Sequence, residues 1–520
     1  MLFNSYDFIF VFLPITTVGF WLLSSFQKRF LVTGWLILVS LVFYSIWSPK
    51  FLLLLLASVG INWLIGEALA RQRRDLQDDE KMTATVKLLV ILGISLNLGF
   101  LGYFKYTNFF IDTVNNFGSG LERIDDLVLP LGISFYTFEQ LSYLMGIANG
   151  KGQHYSFSRF LLFVTFFPQL IAGPILNADE LIPQFRQFNY RLDFRNLAIG
   201  FTIFAIGLFK KTVIADSVAV YATPIFTAAE QGELISFLIA WQAAIAYTLQ
   251  LYFDFSGYSD MAIGLSKMVN IKLPINFFSP YKAVSISDFW RRWHISLGRF
   301  LRDYLYIPRG GSRKGEVRHT VNLLITMLLG GLWHGANWTF ILWGGLHGIY
   351  LCIDHGWKKI LDQRNLTVGS GYHYWFARML TFLAIIVSWV VFRAETLSGA
   401  NRILVGMVGG NGFVLPEDYA GTLGFLNRFG IQFETLSYYS DVQGSLLILL
   451  VLGFALFLPN VYQFMIREPV ALDVYGSLAG QKPVWYSWRP TFGYASFTVV
   501  IFVVALSFCN QGSEFLYFQF

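Results

Sequence analysis

Two histidines in strongly apolar surroundings are the residues of this chain best suited to chemistry. His334 lies in LLGGLWHGANWTF, and His294 lies forty residues earlier in DFWRRWHISL. A neutral imidazole accepts a proton near pH 7, so such a pair could act as a general base and a hydrogen-bond donor. An ionisable side chain at membrane depth is disfavoured unless protein or a water-filled cavity surrounds it, so both residues are candidates for a functional site.

The segment around His334 places it far from the nearest basic loop. Arg318 lies sixteen residues earlier, so at about 1.5 Å per residue His334 would lie roughly 20–25 Å along a helix, deep in a hydrocarbon core of about 30 Å. Gly330, Gly331 and Gly335 surround it. A substrate path and close helix packing explain these glycines equally well. The structural alternative for His334 is a core histidine bonded to a neighbouring helix.

The segment Asp288–Tyr306 carries apolar residues at helical spacing. One face of the helix would hold Trp290, His294, Leu297, Leu301 and Leu305. This spacing predicts an amphipathic helix at the cytoplasmic boundary, with His294 on its inward face. A surface helix whose arginines contact lipid phosphates is the alternative.

Two carboxylates, Asp254 and Asp260, lie in LYFDFSGYSDMAIG. Paired carboxylates can do acid–base work, but six positions place them on nearly opposite faces of a helix unless Gly257 bends it. We expect structural roles for both, bonded to arginine or to backbone groups of the segment near residue 170. No P-loop, GxSxG or zinc spacing is present, so neither a metal nor a bound cofactor is predicted.

Composition defines the class of protein that must position these residues. The chain has 520 residues, of which 55% are hydrophobic and 13% are charged, whereas soluble domains carry about 25% charged residues. An all-α polytopic membrane protein is therefore predicted, and the net charge of +6 is attributed to its loops rather than to nucleic-acid binding. Apolar blocks fall at about 8–24, 30–47, 51–70, 86–104, 129–148, 159–176, 196–215, 236–266, 321–336, 338–355, 375–393, 444–464 and 492–509.

Charge in the loops predicts the orientation of these blocks. The basic loops at 71–87 and 299–318 indicate the cytoplasmic side, and the acidic, glycine-rich loop at 394–443 indicates the external side. These assignments agree only if one block does not cross, and 159–176, with FFPQLIAGPI, is the best candidate for a re-entrant segment. About twelve transmembrane helices with both termini external are then predicted.

Several strings together resemble a known family. They are WRRWHISLGRFLRDYLYIPRGG, MLLGGLWHGANWTFILWGGLHG, LPLGISFYTFEQLSYLMG, FFPQLIAGPI, YFDFSGYSDMAIGL and VVFRAET. The chain resembles the membrane-bound O-acyltransferase (MBOAT) family, and within it the bacterial polysaccharide O-acetylase branch typified by alginate O-acetylase. The resemblance implies a single domain over 1–520, with core motifs at 129–396 and C-terminal helices and tail at 444–520. It also implies two funnels that meet at a buried histidine, which maps onto His334, with His294 at the second family position.

The resemblance implies acetyl transfer from a cytoplasmic thioester, acetyl-CoA or an acyl carrier protein, toward hydroxyls of an exported polysaccharide. His334 would act as the base, and His294 would orient the donor or stabilise the oxyanion. Donor phosphates would contact a basic cluster, unless that cluster only sets topology: Arg299, Arg302, Arg309 and Arg313. Supporting positions would be Asp254, Asp260, Trp333 and Asn337.

The same resemblance predicts where the protein lies, which partners accompany it and which other function within the family is the alternative. The protein would lie among the lipids of the bacterial inner membrane, beside a periplasmic SGNH-type acetyltransferase and the polysaccharide synthesis machinery. D-alanyl or lipid acyl transfer is the alternative within the family. A transporter of acylated intermediates is the alternative from another class, since broken apolar blocks and intramembrane ionisable residues also mark transporters.

The C-terminal sequence, SEFLYFQF, ends in the pattern F-x-Y-x-x-F formed by Phe515, Tyr517 and Phe520. An interfacial aromatic anchor is one explanation. The other comes from the resemblance, because a small membrane peptide that partners the D-alanyl transferase branch ends in a similar motif whose tyrosine is implicated as an acyl carrier. Tyr517 could be such an acyl relay within this chain.

Overall fold

A computed structural model describes residues 1–73, 82–125, 127–171, 173–186, 192–364, 371–435, 441–473, 476–509 and 516. Helices dominate the described residues, and the strands β1 (Val414–Pro416) and β2 (Gln432–Glu434) form a small parallel pair. The chain divides into two compact units. One comprises Met1–Leu208, Tyr258–Ile275 and Met465–Phe502, and the other comprises Phe209–Gly257, Asn276–Phe464 and Val503–Phe520.

The first unit contains ten of the helices in its leading segment. They are α1 (Leu13–Ser25), α2 (Arg29–Trp47), α3 (Pro49–Arg73), α4 (Ala84–Leu101), α5 (Thr107–Asn115), α6 (Ile133–Ala148), α7 (Phe157–Thr165), α8 (Phe167–Leu170), α9 (Ala178–Arg186) and α10 (Phe194–Phe209), which reaches its boundary. Turns of π-helix cover Phe8–Phe12 and Gly102–Tyr106.

The later helices lie mainly in the second unit. They are α11 (Asp216–Ala219), α12 (Thr223–Gln231), α13 (Phe237–Met268), α14 (Ile286–Trp290), α15 (Ile295–Phe300), α16 (Glu316–His334), α17 (Trp338–Gln363), α18 (Tyr372–Arg393), α19 (Leu397–Met407), α20 (Ala420–Leu423), α21 (Val442–Phe457), α22 (Val461–Phe464) and α23 (Phe492–Phe508). π-Helix covers Lys210–Ala215 and Leu301–Tyr306, and 3₁₀ turns cover Pro280–Lys282, Glu417–Tyr419 and Gly424–Phe429. Helices α13 and α23 each run from one unit into the other.

The helices coincide with the thirteen predicted apolar blocks to within a few residues at most ends. Among the described residues, six helical stretches have both the length and the apolar composition to cross a membrane: Phe8–Ser25, Arg29–Trp47, Pro49–Arg73, Ala84–Asn115, Phe194–Gln231 and Tyr372–Arg393. Helices α21 and α23 are apolar but shorter. The chain is therefore a helical membrane protein, while the count of twelve crossings stays a prediction.

The block at 159–176 does not form one spanning helix. Helices α7 and α8 have nine and four residues and are separated at Phe166, so their combined length of about 20 Å falls short of the hydrocarbon core. Gly173 lies close to the end of α8, since its N–H donates to the carbonyl oxygen of Gln169 at 2.8 Å and a β-carbon there would collide with Gln169. Gln169 Nε2 donates to the carbonyl oxygen of Phe163 at 2.7 Å, which links α8 to α7.

The prediction of one amphipathic helix over Asp288–Tyr306 is wrong. Helix α14 ends at Trp290, and α15 begins only after His294, whose φ of 41° and ψ of 55° are left-handed. The break is held by main-chain contact with a distant segment, because the N–H of Ile295 donates to the carbonyl of Asn276 at 2.9 Å. The expected single face therefore does not exist, and His294 lies at the N-terminus of a six-residue helix.

Candidate active site

His334 lies at the tip of a helical hairpin. It is the last residue of α16, and three residues later α17 begins at Trp338. Asn337 caps α17, since its Oδ1 accepts from the N–H of Thr339 at 3.0 Å. Its Nδ2 donates to the carbonyl oxygen of Glu395 at 2.7 Å, which ties the tip to the segment after α18. Asn337 is therefore a helix cap, and its supporting role in the site stays a prediction.

The glycines beside His334 are explained by packing between α16 and α17. A β-carbon at Gly331 would collide with the carbonyl oxygen of Phe340, and one at Gly335 would collide with the Phe340 ring. Gly344, on the facing helix, has the same relation to the carbonyl of Met327. Of the two explanations that the sequence left open, close helix packing is the one that these contacts support.

Aromatic rings enclose the His334 imidazole. Only 4% of the residue is exposed. The ring centroids of Trp333, Trp343 and Phe392 lie 5.0, 5.1 and 5.3 Å from that of His334, each in an edge-on arrangement. The walls around the imidazole therefore come from α16, α17 and α18, and they limit its access to water.

His294 is brought to the same place although it lies on a different element. It is fully buried, and the ring of Phe255 stands edge-on to it at 4.8 Å. The ring centroids of His294 and His334 are 6.4 Å apart, and Trp333 lies 6.2 Å from His294. This separation is too large for a direct hydrogen bond between the rings, which needs about 2.7–3.2 Å between heavy atoms. The two imidazoles can instead act on different atoms of one reacting group.

A third histidine, to which the sequence assigned no role, supports this arrangement. His347 on α17 is fully buried, and the indole N–H of Trp290 donates to its Nδ1 at 3.3 Å. An indole nitrogen can only donate, so Nδ1 is the acceptor and Nε2 carries the proton that is donated to Ser388 Oγ at 3.0 Å. The Trp343 ring lies 4.8 Å from His347 and 5.1 Å from His334. His347 therefore packs against Trp343, which forms one wall around His334. Trp343 and His347 are four residues apart on a helix, and this spacing is the sequence signal that could have indicated the contact.

The two carboxylates of α13 do not form a pair. The helix is uninterrupted through Gly257, and Asp254 and Asp260 belong to different compact units. Asp254 is bonded to Lys211 Nζ at 2.9 Å, so the expected arginine or backbone partner near residue 170 is wrong for this residue. A lysine was overlooked because it lies in an apolar block more than forty residues away in sequence. Asp260 is buried, with 2% of it exposed.

The basic cluster is not a single surface. Arg299 is buried, Arg302 pairs with Asp303 at 2.7 Å, and Arg313 is exposed. Of the four predicted donor contacts, Arg309 lines a pocket of about 680 Å³. The other charged residues of this pocket are Lys314, Glu316 and Arg318, at the start of α16.

Tyr517 lies outside the described residues.

A helical membrane protein with two buried imidazoles inside an aromatic cage has the features of an enzyme that transfers a group to a hydroxyl within the membrane. Residues 35–393 match the model of the membrane-bound O-acyltransferase family, MBOAT, and the chain belongs to this family. It is accordingly an acyltransferase, as the resemblance implied.

Relatives with similar sequences carry names that agree with this class. A peptidoglycan O-acetyltransferase of Helicobacter pylori is 41% identical over 88% of this chain and 89% of its own length. A probable alginate O-acetylase of Pseudomonas putida is 38% identical over the whole of both chains. A teichoic acid D-alanyltransferase of Streptococcus thermophilus is 27% identical over 70% of this chain and 86% of its own.

Proposed function

We propose that this protein passes acetyl groups from a cytoplasmic thioester toward hydroxyls of an exported, alginate-like polysaccharide. The observation that carries the proposal is the buried pair of His334 and His294, with ring centroids 6.4 Å apart. The relatives with about 40% identity are named as O-acetyltransferases of peptidoglycan and alginate, whereas the D-alanyltransferase is a more distant relative. This difference favours acetyl over D-alanyl transfer.

The roles of the two histidines follow from their surroundings. A hydroxyl is almost fully protonated at pH 7, so its attack on a thioester carbonyl needs a base at the hydroxyl and a donor at the carbonyl oxygen. His334, enclosed by three aromatic rings, takes the hydroxyl proton. His294 donates a hydrogen bond to the developing oxyanion, and the thiolate leaves with the proton that His334 has taken up.

The donor binds on the cytoplasmic side. The pocket at the start of α16 holds the cations of Arg309, Lys314 and Arg318, which suit the phosphates of acetyl-CoA or the phosphopantetheine of an acyl carrier protein. The wider cluster includes Arg299, which is buried, and Arg302, whose guanidinium is paired with Asp303. In this proposal Arg309 is therefore the main donor contact of the four arginines predicted from the sequence.

The setting of the reaction is part of the proposal. The protein lies in the bacterial inner membrane with both termini external, and a periplasmic SGNH-type acetyltransferase passes the acetyl group to the polymer. Such a partner would remove the need for a large polysaccharide to enter the membrane. The polymer synthesis machinery would lie nearby.

The test of the proposal is acetyl transfer by the His334→Ala variant. Membranes carrying the full-length protein and its periplasmic partner are supplied with labelled acetyl-CoA, and label in alginate and in peptidoglycan is measured. We expect loss of roughly 10²–10⁴-fold, as for removal of a general base, at an unchanged membrane level and melting temperature. Near-normal transfer by a well-expressed variant would contradict the proposal, and label in peptidoglycan alone would correct the acceptor.

Tyr517 gives a second route for the acetyl group. As a relay, its phenol would attack the thioester, form an ester and then pass the acetyl group to the periplasmic partner. Tyr517→Phe keeps the ring and removes the nucleophile, so a relay predicts loss of polymer acetylation at normal protein level. The aromatic anchor predicts almost no change, and wild-type acetylation by Tyr517→Phe would end the relay hypothesis.

A further inference from the structure

A buried charged cluster in the second unit has no part in the proposed chemistry. Lys211, on the π-helical turn Lys210–Ala215, contacts Asp216 at 2.7 Å and Asp254 at 2.9 Å. The side chains of Lys211 and Asp254 are each 2% exposed, and that of Asp216 is 7% exposed. Two carboxylates thus surround one ammonium group. Charges are buried in this way only where ion pairs and hydrogen bonds compensate for the lost water.

One of the compensating hydrogen bonds comes from the main chain of Leu516. The N–H of Leu516 donates to Asp254 Oδ2 at 3.2 Å, and Leu516 is 5% exposed. A main-chain N–H bonded to a carboxylate is a charge-assisted hydrogen bond, stronger than a neutral one. The same turn also contacts the end of α23, since Thr212 Oγ1 donates to the carbonyl oxygen of Ala505 at 3.0 Å.

The cluster is linked to the histidine site through helix α13. Asp254 is followed on α13 by Phe255, whose ring lies 4.8 Å from that of His294. Phe392 on α18, 5.3 Å from His334, is followed by Arg393, which lies over the ring of Tyr247 on α13 at 5.9 Å. Two neighbouring residues of α13 therefore contact Leu516 and His294, respectively.

We infer that Asp254, fixed by Lys211 and Asp216, is a positioning residue that holds the main chain of Leu516 next to the histidine site. This hydrogen bond acts on the main chain at Leu516, so it fixes that residue without depending on its side chain. Its effect on acetyl transfer rests on the proposed function, whereas the hydrogen bond itself does not.

The hold of Asp254 on this main chain is tested by the accessibility of residue 516. In full-length protein with Cys352→Ser and Cys509→Ser, Leu516→Cys is labelled in membranes with a maleimide, alone and combined with Asp254→Leu or Asp254→Asn. Both substitutions leave the Lys211–Asp216 pair balanced, but only asparagine keeps an oxygen that can accept from the N–H. We expect labelling to be roughly tenfold or more faster with Asp254→Leu and to rise by a clearly smaller factor with Asp254→Asn, because the amide oxygen still accepts from the N–H but more weakly than a carboxylate.

Thr248→Val is the matched control, because Thr248 is also buried on α13 and its hydroxyl donates only within that helix, to Ala244. It should label as the parent does. Equal labelling of the Asp254→Leu variant and the parent would overturn the inference. So would labelling that rises equally with Asp254→Leu and Asp254→Asn, since the acceptor oxygen would then be irrelevant.

A second variant removes the donor and leaves the cluster intact. Leu516→Pro has no N–H, so it should lower polymer acetylation to the level of Asp254→Leu while leaving the KM for acetyl-CoA unchanged. Normal acetylation by both variants would overturn the positioning role. Failure of the proposed function would be distinguishable, because the parent protein would then transfer no acetyl group at all. The labelling of residue 516 would still show whether Asp254 holds the main chain there.

Discussion

The two histidines differ most in the backbone that presents them. His334 has helical backbone at the end of α16, whereas His294 has a positive φ of 41°. A left-handed conformation costs roughly 1–2 kcal/mol for most residues other than glycine, and asparagine, aspartate and histidine adopt it most readily. Strain of this kind persists where the surrounding structure fixes it. The contacts of Asn276 with Ile295 and with Ser296 do this here.

This difference makes asparagine an informative substitution at both positions. At His294, asparagine tolerates the left-handed backbone and can still donate a hydrogen bond, but at His334 it cannot take up a proton. We expect His294→Asn to lose at most about tenfold in acetyl transfer, because its hydrogen bond is weakened but not removed, and His334→Asn to lose roughly 10²–10⁴-fold. Initial rates with labelled acetyl-CoA, at matched membrane levels, measure both. A greater loss at His294 would reverse the two roles.

At the scale of elements, the positions of the helices could be predicted from the sequence and the breaks between them could not. The blocks 30–47 and 492–509 coincide almost residue for residue with α2 and α23, because the length of an apolar run is a local property. The interruption at His294 depends on the carbonyl of Asn276, eighteen residues away in sequence. Spacing within Asp288–Tyr306 carries no information about that contact.

The residues of the candidate site could also be predicted only in part from the sequence. Both histidines were identified because they are costly in apolar surroundings, which the sequence displays directly. The partner of Asp254 and the role of His347 were missed, because each depends on which helices pack together. Trp290 and Ser388, the partners of His347, come from α14 and α18. The tertiary contacts, and not the residue types, define this part of the site.

At the scale of the whole molecule, the distribution of loop charge predicts an orientation of the chain in the membrane. Basic residues follow α3 and precede α16, and the segment between α18 and α21 is richer in acidic residues. Helices α16 and α17 form a hairpin that returns the chain to a second basic segment, where Lys359 pairs with Glu316 at the start of α16. This pair indicates that the two ends of the hairpin lie on one side, as the positive-inside rule requires.

Cysteine labelling from one side of the membrane tests this orientation. In a chain with Cys352→Ser and Cys509→Ser, an impermeant maleimide applied to intact cells should label Gly412→Cys and leave Thr83→Cys and Ser312→Cys unlabelled. The last two should react once the cytoplasmic face is opened, because positions 83 and 312 lie in or beside basic loops, which are retained on the cytoplasmic side. All three positions are at helix ends or in loops, where substitution disturbs little packing. Labelling of positions 83 and 312 from opposite faces would contradict the assignment of both basic loops to the cytoplasm, and with it the twelve crossings. If position 312 were the external one, the basic pocket, which begins at Arg309, would also lie on the opposite side of the membrane from the proposed thioester donor.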